Sequence, residues 1–100
     1  MDPRLGELGS NIITQPTLSV YPNPSNGNIN YSLSLDEFDR VVDISILDMS
    51  GQVIDRIDFE QSTERFINGT HSFEDQLAGL YIIRVQLDSE VITEKVMIVK

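Results

Sequence analysis

The sequence predicts an all-β protein, an immunoglobulin-like antiparallel β-sandwich of about seven strands. Apolar and polar residues alternate along most of the chain, as they do in strands with one buried face. Clusters of Gly, Pro, Asn, Asp and Ser interrupt this alternation at intervals of about 8 to 12 residues. Only the segment LDEFDR, residues 35–40, could hold a helical turn, and it is too short for an independent helix. These three observations favour two packed sheets over a helical fold.

The chain has the length and composition of about one globular domain, with 40% hydrophobic and 23% charged residues. Residues 1–16 are polar and are interrupted by Gly6, Gly9 and Pro16. We interpret residues 1–16 as a linker or a leader left by cloning, and we assign residues 17–100 to the sandwich. No segment resembles a secretory signal or reaches the roughly 18 apolar residues of a membrane span. Neither an N-terminal secretory signal nor a membrane span is therefore expected within the chain as written.

The first two strands are predicted on either side of the connector YPNPSNG, residues 21–27. The run LSVY leads into it. The segment NINYSLSL follows it and places these apolar residues on one face: Ile29, Tyr31, Leu33 and Leu35. Pro22 and Pro24 fix their own φ angles, and Gly27 tolerates positive φ. The connector is therefore predicted to be a stiff turn between strands.

Two hairpins are predicted next. Residues 41–48 and 52–59 flank the sequence DMSG, and a connection of this length that ends in glycine favours a type I turn closed by a residue at positive φ. In RFINGTHSF, Asn68 and Gly69 lie between two short apolar-bearing runs. This dipeptide favours positive φ at both central positions of a type I′ turn, so it predicts a second hairpin.

A third hairpin is predicted at the end of the sequence, where LYIIRVQL is followed by DSE and then by VITEKVMIVK. The alternation places one set of apolar residues on the inner face of the first strand: Tyr81, Ile83, Val85 and Leu87. It does the same for Ile92, Val96 and Ile98 in the closing strand. The sequence is therefore expected to end inside its last strand.

The charge of the chain limits its partners. Sixteen acidic and seven basic residues give a formal net charge of −9, and the basic residues are scattered. Phosphate backbones and anionic lipid surfaces repel such a protein, so we expect neither nucleic-acid binding nor direct membrane insertion. There are no cysteines, which leaves out disulfides and thiolate chemistry.

Candidate catalytic and metal-binding residues are few. His71 is the single histidine, and it lies beside a predicted turn without a partner serine, so we interpret it as a surface residue. Two acidic groups have the composition of an acid/base pair or a calcium loop: Asp36, Glu37 and Asp39, and Asp55, Asp58 and Glu60. The first lacks the EF-hand pattern, and the second fits a solvated strand face. We expect no catalytic residue, no metal site and no cofactor.

Two binding roles are compatible with this fold. An adhesive or carbohydrate-binding module would use one sheet face, although few aromatic residues are expected to be exposed there. Self-association would use the edge of the final strand. The residues considered so far leave both alternatives open.

Four segments, in order along the chain, resemble the C-terminal sorting domain of type IX secretion cargo in Bacteroidetes-type bacteria. They are VYPNP with Gly27 three residues on, VDISILDMSGQVI, LAGLYIIRV and the closing EKVMIVK. The resemblance covers residues 17–100. Each segment alone would be weak evidence, but the four together match the order and position of the family's motifs.

The resemblance implies a function. Such domains lie at the extreme C-terminus of exported proteins, fold as immunoglobulin-like sandwiches, and are recognised by an outer-membrane translocon. A sortase-like surface peptidase then removes the domain, and the cargo is usually joined to an anionic lipopolysaccharide. The expected location is the periplasm in transit and then the cell surface. The chain is accordingly expected to be a fragment of a larger secreted protein, cleaved within residues 10–17.

The resemblance also carries recognition roles over to particular residues. They are Pro22, Asn23, Pro24, Gly27, Asp48, Gly51, Gly79, Tyr81, Lys95, Val96, Met97, Ile98, Val99 and Lys100. Gly51, Gly79 and Tyr81 are expected to serve the fold as well. Lys95 and Lys100 are the best candidates for recognition rather than folding, because exposed lysines near the end stand out on a chain of charge −9.

Overall fold

The computed structural model describes residues 15–35, 40–59 and 65–100. Within these ranges the chain forms seven β-strands and no helix. The strands are β1 (Thr17–Tyr21), β2 (Asn28–Ser34), β3 (Val41–Leu47), β4 (Val53–Arg56), β5 (Phe66–Ser72), β6 (Gly79–Leu87) and β7 (Val91–Ile98). In the same ranges, no helix has the length and apolar character needed to cross a membrane.

The strands form two sheets in which every neighbouring pair is antiparallel. The strand order is β1-β2-β5 in one sheet and β4-β3-β6-β7 in the other. Buried side chains from both sheets belong to one hydrophobic cluster, so the sheets pack face to face. The predicted antiparallel sandwich of seven strands is confirmed.

The core contains most of the residues that the alternating pattern predicts. Val42 is an exception, because the pattern places it on the buried face with Ile44 and Ile46, but it is 59% exposed and Val41 is buried instead, at the shift in register between Val41 and Asp43. The buried members in β2 are Ile29, Tyr31 and Leu33, and those in β6 are Tyr81, Ile83, Val85 and Leu87. Val96 and Ile98 of β7 are also buried, whereas Ile92 is only partly buried. Because burying one such side chain stabilises a fold by about 1.5–3 kcal/mol, this alternation accounts for the choice of inner face in each strand.

The hairpin predicted around DMSG is confirmed, although its strands are shorter than the predicted ones and end at Leu47 and Arg56. The backbone N–H of Gly51 donates to the Asp48 carbonyl oxygen at 3.0 Å, and Gly51 has a φ of 89°, a conformation that favours glycine. Asp48 Oδ1 accepts hydrogen bonds from Ser50 Oγ and from the backbone N–H groups of Ser50 and Gln52. These bonds lower the pKa of the Asp48 carboxyl, and the bond from the Ser50 hydroxyl makes the largest contribution.

The hairpin predicted at Asn68 and Gly69 is wrong. Both residues lie in the middle of β5, which pairs with β2 over its whole length. Gly69 lies opposite Tyr31, and a Cβ atom at position 69 would overlap the Tyr31 phenol ring. Gly69 is not among the described glycines with positive φ. The glycine therefore makes room for a buried ring from the neighbouring strand and does not form a turn.

The last hairpin is confirmed by the pairing of β6 with β7 from Gly79↔Ile98 to Gln86↔Val91. Strand β7 ends at Ile98, two residues before the end of the sequence, so the prediction that the sequence ends inside this strand is slightly too long. The helical turn considered for LDEFDR depends on residues 36–39, which lie outside the described residues, as do Asp36, Glu37, Asp39 and Glu60.

Candidate recognition site

The topology brings the four segments of the sequence resemblance to one end of the sandwich. The strands alternate in direction, so β1, β3, β5 and β7 end where β2, β4 and β6 begin. We call this the motif end and define it as residues 21–27, 48–51, 73–81 and 95–100. The opposite end carries the β6–β7 turn at residues 88–90.

Asn23 joins the first segment to the last. Its side-chain Nδ2 donates to the Lys95 carbonyl oxygen, and its Oδ1 accepts from the Met97 backbone N–H, both at 2.9 Å. The amide group thus makes the pair of bonds that a neighbouring strand would make with the outer edge of β7. Asn23 and Lys95 are 72 positions apart, so this contact depends on the complete fold.

Ser25 continues this pairing. Its backbone N–H donates to the Met97 carbonyl oxygen and its carbonyl oxygen accepts from the Val99 N–H, both at 2.8 Å, which makes a parallel bridge beside Ile98. The Ser25 side chain is buried, and its hydroxyl donates to the Asn28 carbonyl oxygen at 2.6 Å. Ser25 was not among the residues predicted from the sequence. The proline–serine–asparagine pattern around it is typical of turns, and it gives no sign of a strand partner.

Pro22, Pro24 and Gly27 complete the connector. The peptide bonds that precede Pro22 and Pro24 are both cis, and both prolines are exposed. Gly27 is buried, and its carbonyl oxygen accepts a hydrogen bond from the Phe73 N–H at 2.6 Å. The stiff connector predicted from the sequence is thus a cover along the outer edge of β7 that also contacts the loop before β6.

Two side chains fix that loop, residues 73–79. Tyr81 Oη donates to the Leu77 carbonyl oxygen at 2.5 Å, and the Tyr81 ring packs against Phe73 with a centroid distance of 5.1 Å. Lys100 Nζ donates to the carbonyl oxygens of Phe73 at 2.9 Å, Glu74 at 3.1 Å and Gln76. The phenol bond resembles the tyrosine corner of immunoglobulin-like domains. The Lys100 ammonium group therefore binds the protein's own backbone.

The predicted recognition residues of the last segment, from Lys95 to Val99, separate into buried and exposed ones. Val96 and Ile98 are 0% and 1% exposed, so they contribute to the core and reach a partner only through the shape they maintain. Lys95, Met97 and Val99 alternate with them and are exposed. Outer-facing and inner-facing positions in the last strand therefore have different roles, although the resemblance assigns them together.

A pocket of about 450 Å³ opens at the motif end. Its walls come from the β3–β4 turn, from β4 and from the segment before and within β6: Asp48, Met49, Ile54, Gln76, Leu77, Ala78, Gly79, Leu80 and Tyr81. Three of the predicted residues, Asp48, Gly79 and Tyr81, are thus brought together around one cavity. Gly51 shapes the adjoining turn and does not line the pocket.

His71 does not occupy the exposed position beside a turn that its sequence context suggests. It lies within β5, its side chain is 14% exposed, and its Nε2 is 3.5 Å from Asp55 Oδ2 on β4. It therefore joins the neighbouring edges of the two sheets. Burial lowers the pKa of His71 below 6.5, and the nearby Asp55 carboxylate opposes this effect in part. Over the described ranges, no group of three His, Cys, Asp or Glu side chains could hold a metal ion.

His71 should make the stability of the domain dependent on pH. Its pKa is lower in the folded chain, so the unfolded chain takes up the proton first as the pH falls. The free energy of unfolding is expected to decrease from about pH 6.5 downward, until the folded form is also protonated. Urea denaturation of the wild type and of His71→Gln between about pH 7 and 5 tests this. Equal slopes against pH in the two proteins would contradict it.

Replacing Asn23 should weaken the motif end. Asn23→Ala removes both bonds to β7 and is expected to lower the free energy of unfolding by about 1–2 kcal/mol. Asn23→Asp keeps an acceptor for the Met97 N–H but places a carboxylate against the Lys95 carbonyl oxygen. It should therefore lower the free energy of unfolding by at least as much as Asn23→Ala. The matched control is Asn26→Ala, at an exposed position of the same connector. Urea denaturation and hydrogen exchange of the Met97 amide measure the effect, and equal losses for Asn23→Ala and Asn26→Ala would oppose it.

Comparison with known proteins identifies the family of the chain. A search of curated proteins finds no match to this chain. A family model described as a secretion system C-terminal sorting domain matches residues 19–99, which include all seven strands except the first two residues of β1. The match spans more than half of the chain and includes every residue of the motif end except Lys100. The chain therefore belongs to the family of C-terminal sorting domains of the type IX secretion system, the signals that direct export across the outer membrane to the cell surface or beyond.

Proposed function

We propose that residues 17–100 direct a cargo protein through the type IX outer-membrane translocon by presenting the motif end to it. The supporting observation is that each of the four segments of the family pattern contributes residues to this one end. Hydrogen bonds from Asn23 and Ser25 to β7 join the first segment to the last. A signal distributed over 80 residues of sequence thus forms one continuous surface.

The exposed residues of this surface would make the contacts. Among the predicted recognition residues they are Pro22, Asn23, Pro24, Gly51, Lys95, Met97 and Val99. Val96, Ile98 and Gly27 would act by holding the edge of β7 and its cover in place, because they are buried. Lys100 would act in both ways, since its ammonium group fixes the loop before β6.

A reporter fusion tests the function. The reporter carries an inner-membrane export signal at its N-terminus and residues 17–100 at its C-terminus, and it is expressed in a bacterium with a type IX system. We expect it to reach the cell surface, whereas the same fusion in a strain without the translocon should stay in the periplasm. Retention of the folded fusion in the translocon-bearing strain would oppose the proposal.

The cleavage by a sortase-like surface peptidase is proposed to fall within residues 10–17. Gln15 and Thr17 are exposed, and regular pairing with β2 begins at Thr17, so a peptidase would find less protected backbone before β1 than within the sheets. Mass spectrometry of a second reporter, fused to residues 10–100 and released from the surface, would locate the new C-terminus. A terminus inside the sandwich would contradict this position.

Two other roles have less support. The exposed large aromatic side chains in the described ranges, Tyr21 and Phe66, lie at opposite ends of the sheet β1-β2-β5, so they do not form a platform for a sugar. Self-association through the edge of β7 stays a prediction that sedimentation at several concentrations would test. Asn23 and Ser25 already occupy that edge from Lys95 to Val99.

A further inference from the structure

We propose that the pocket at the motif end receives an apolar side chain from a partner segment that carries a basic residue beside it. The proposal rests on the function proposed above, because the partner is taken to be a component of the export machinery. The pocket walls, the fixed loop on its rim and the charges around it each support one part of this description.

The walls of the pocket are mostly apolar, and two large apolar side chains on them are exposed. Leu77 is 83% exposed and Met49 is 52% exposed, and Ile54, Ala78 and Leu80 also line the pocket. A pocket of about 450 Å³ is in the range of small binding sites and can take one large apolar side chain. Burial of exposed apolar side chains around a central pocket is how most binding energy arises at protein interfaces.

Leu77 is held in place despite its exposure. The Tyr81 hydroxyl binds its carbonyl oxygen, and the Lys100 ammonium group binds the carbonyl oxygens of Phe73, Glu74 and Gln76 immediately before it. A loop held on both sides loses little conformational entropy when a partner binds. The position of Leu77 is thus set by the fold before any partner arrives.

The charges near the pocket determine which type of residue is favoured beside the apolar residue of the partner segment. Asp48 lines the pocket, and its lowered pKa keeps the carboxyl ionised near neutral pH. Glu74 and Asp75, both exposed, directly precede the lining residue Gln76. The Lys100 ammonium group close to them stays positively charged, so three carboxylates lie near one ammonium group, and the whole chain has a net charge of −9. A basic side chain is therefore favoured at the rim, and an acidic one is repelled.

Two pairs of matched variants test the proposal in the reporter fusion. Leu77→Ser is expected to slow surface delivery about tenfold, as the loss of one central apolar contact does in protein interfaces. Phe66→Ser removes another exposed apolar side chain, at the start of β5 and therefore far from the motif end, and should leave delivery unchanged.

The second pair of variants changes charge. Asp75→Lys should also slow delivery several-fold, whereas Glu90→Lys in the β6–β7 turn should not. Wild-type delivery of folded Leu77→Ser or Asp75→Lys overturns the proposal.

A binding experiment separates failure of this inference from failure of the proposed function. The purified full chain is titrated with the peptide acetyl-Gly-Leu-Arg-Gly-amide and with its Glu and Ser counterparts, Gly-Leu-Glu-Gly and Gly-Ser-Arg-Gly. We expect the Leu-Arg peptide to shift the amide resonances of Ala78 and Leu80 at several-fold lower concentration than either counterpart. Equal shifts with all three peptides, or none with the Leu-Arg peptide, overturn the pocket proposal whether or not the reporter is exported.

Discussion

Deletion of residues 96–100 is expected to unfold the sandwich and to leave a reporter fusion in the periplasm. The deletion removes Val96 and Ile98, which are fully buried, and the backbone groups of Met97 and Val99 that bind Asn23 and Ser25. Loss of two buried aliphatic side chains costs about 4–10 kcal/mol, which is comparable to the whole stability of a domain of about 5–15 kcal/mol. Circular dichroism with thermal denaturation of the purified deletion variant measures the first effect, and fractionation of the fusion-bearing cells measures the second.

A matched variant separates the folding role of β7 from its recognition role. Met97→Ser with Val99→Ser changes two exposed positions of the same segment and leaves Val96 and Ile98 in the core. This variant should keep a stability close to that of the wild type, because surface substitutions usually change it by less than about 0.5 kcal/mol. Normal export of the deletion variant would refute a recognition role for the C-terminal segment. A folded deletion variant would refute its contribution to the core.

The parts of the fold that followed from the sequence are those in which local pattern and burial agree. Strands β2 and β6 bury alternate residues, so their inner faces were predicted correctly down to Ile29, Tyr31, Ile83 and Val85. The DMSG turn was also predictable, because Gly51 and the Asp48 carboxylate stabilise it within five consecutive residues. In these places no distant residue is needed to select the conformation.

The predictions failed in segments whose conformation is determined by a residue distant in the sequence. Asn68 and Gly69 have the local preference of a turn, but pairing with β2 and the Tyr31 ring make an extended strand more favourable. The position of Asn23 against β7 likewise depends on a residue more than 70 positions away. Periodicity shows which face of a strand is buried. It does not show which strand comes to lie beside it.

The candidate site illustrates the same limit. The resemblance identified four segments but not their common location, which follows from the alternating strand directions and the placement of β5 beside β2. The pocket was not predicted, because its walls come from two segments distant in sequence and its most exposed large apolar residue, Leu77, has no distinguishing sequence context. The antiparallel topology is thus what turns an ordered set of short motifs into one surface.

The replacement Gly69→Ala is expected to destabilise the domain by about 1–3 kcal/mol, because the added methyl group overlaps the buried Tyr31 ring. Without this contact Gly69→Ala would stabilise the domain, since alanine is favoured over glycine in an extended strand by about 0.5–1 kcal/mol. The neighbouring replacement Asn68→Thr is the control. Position 68 is exposed within the strand, so a β-branched residue there should be neutral or slightly stabilising.

A double-mutant cycle measures the contact between position 69 and the Tyr31 ring directly. Tyr31→Ala removes the ring and is itself destabilising, because Tyr31 is 4% exposed. In the Tyr31→Ala background, Gly69→Ala should become neutral or stabilising, which gives a coupling energy of about 1–3 kcal/mol by urea denaturation. If Gly69 instead occupied the turn of a hairpin, Gly69→Ala and Asn68→Thr would both be destabilising, and neither effect would depend on Tyr31. Additive losses in the cycle would therefore contradict the continuous strand β5 and its contact with Tyr31.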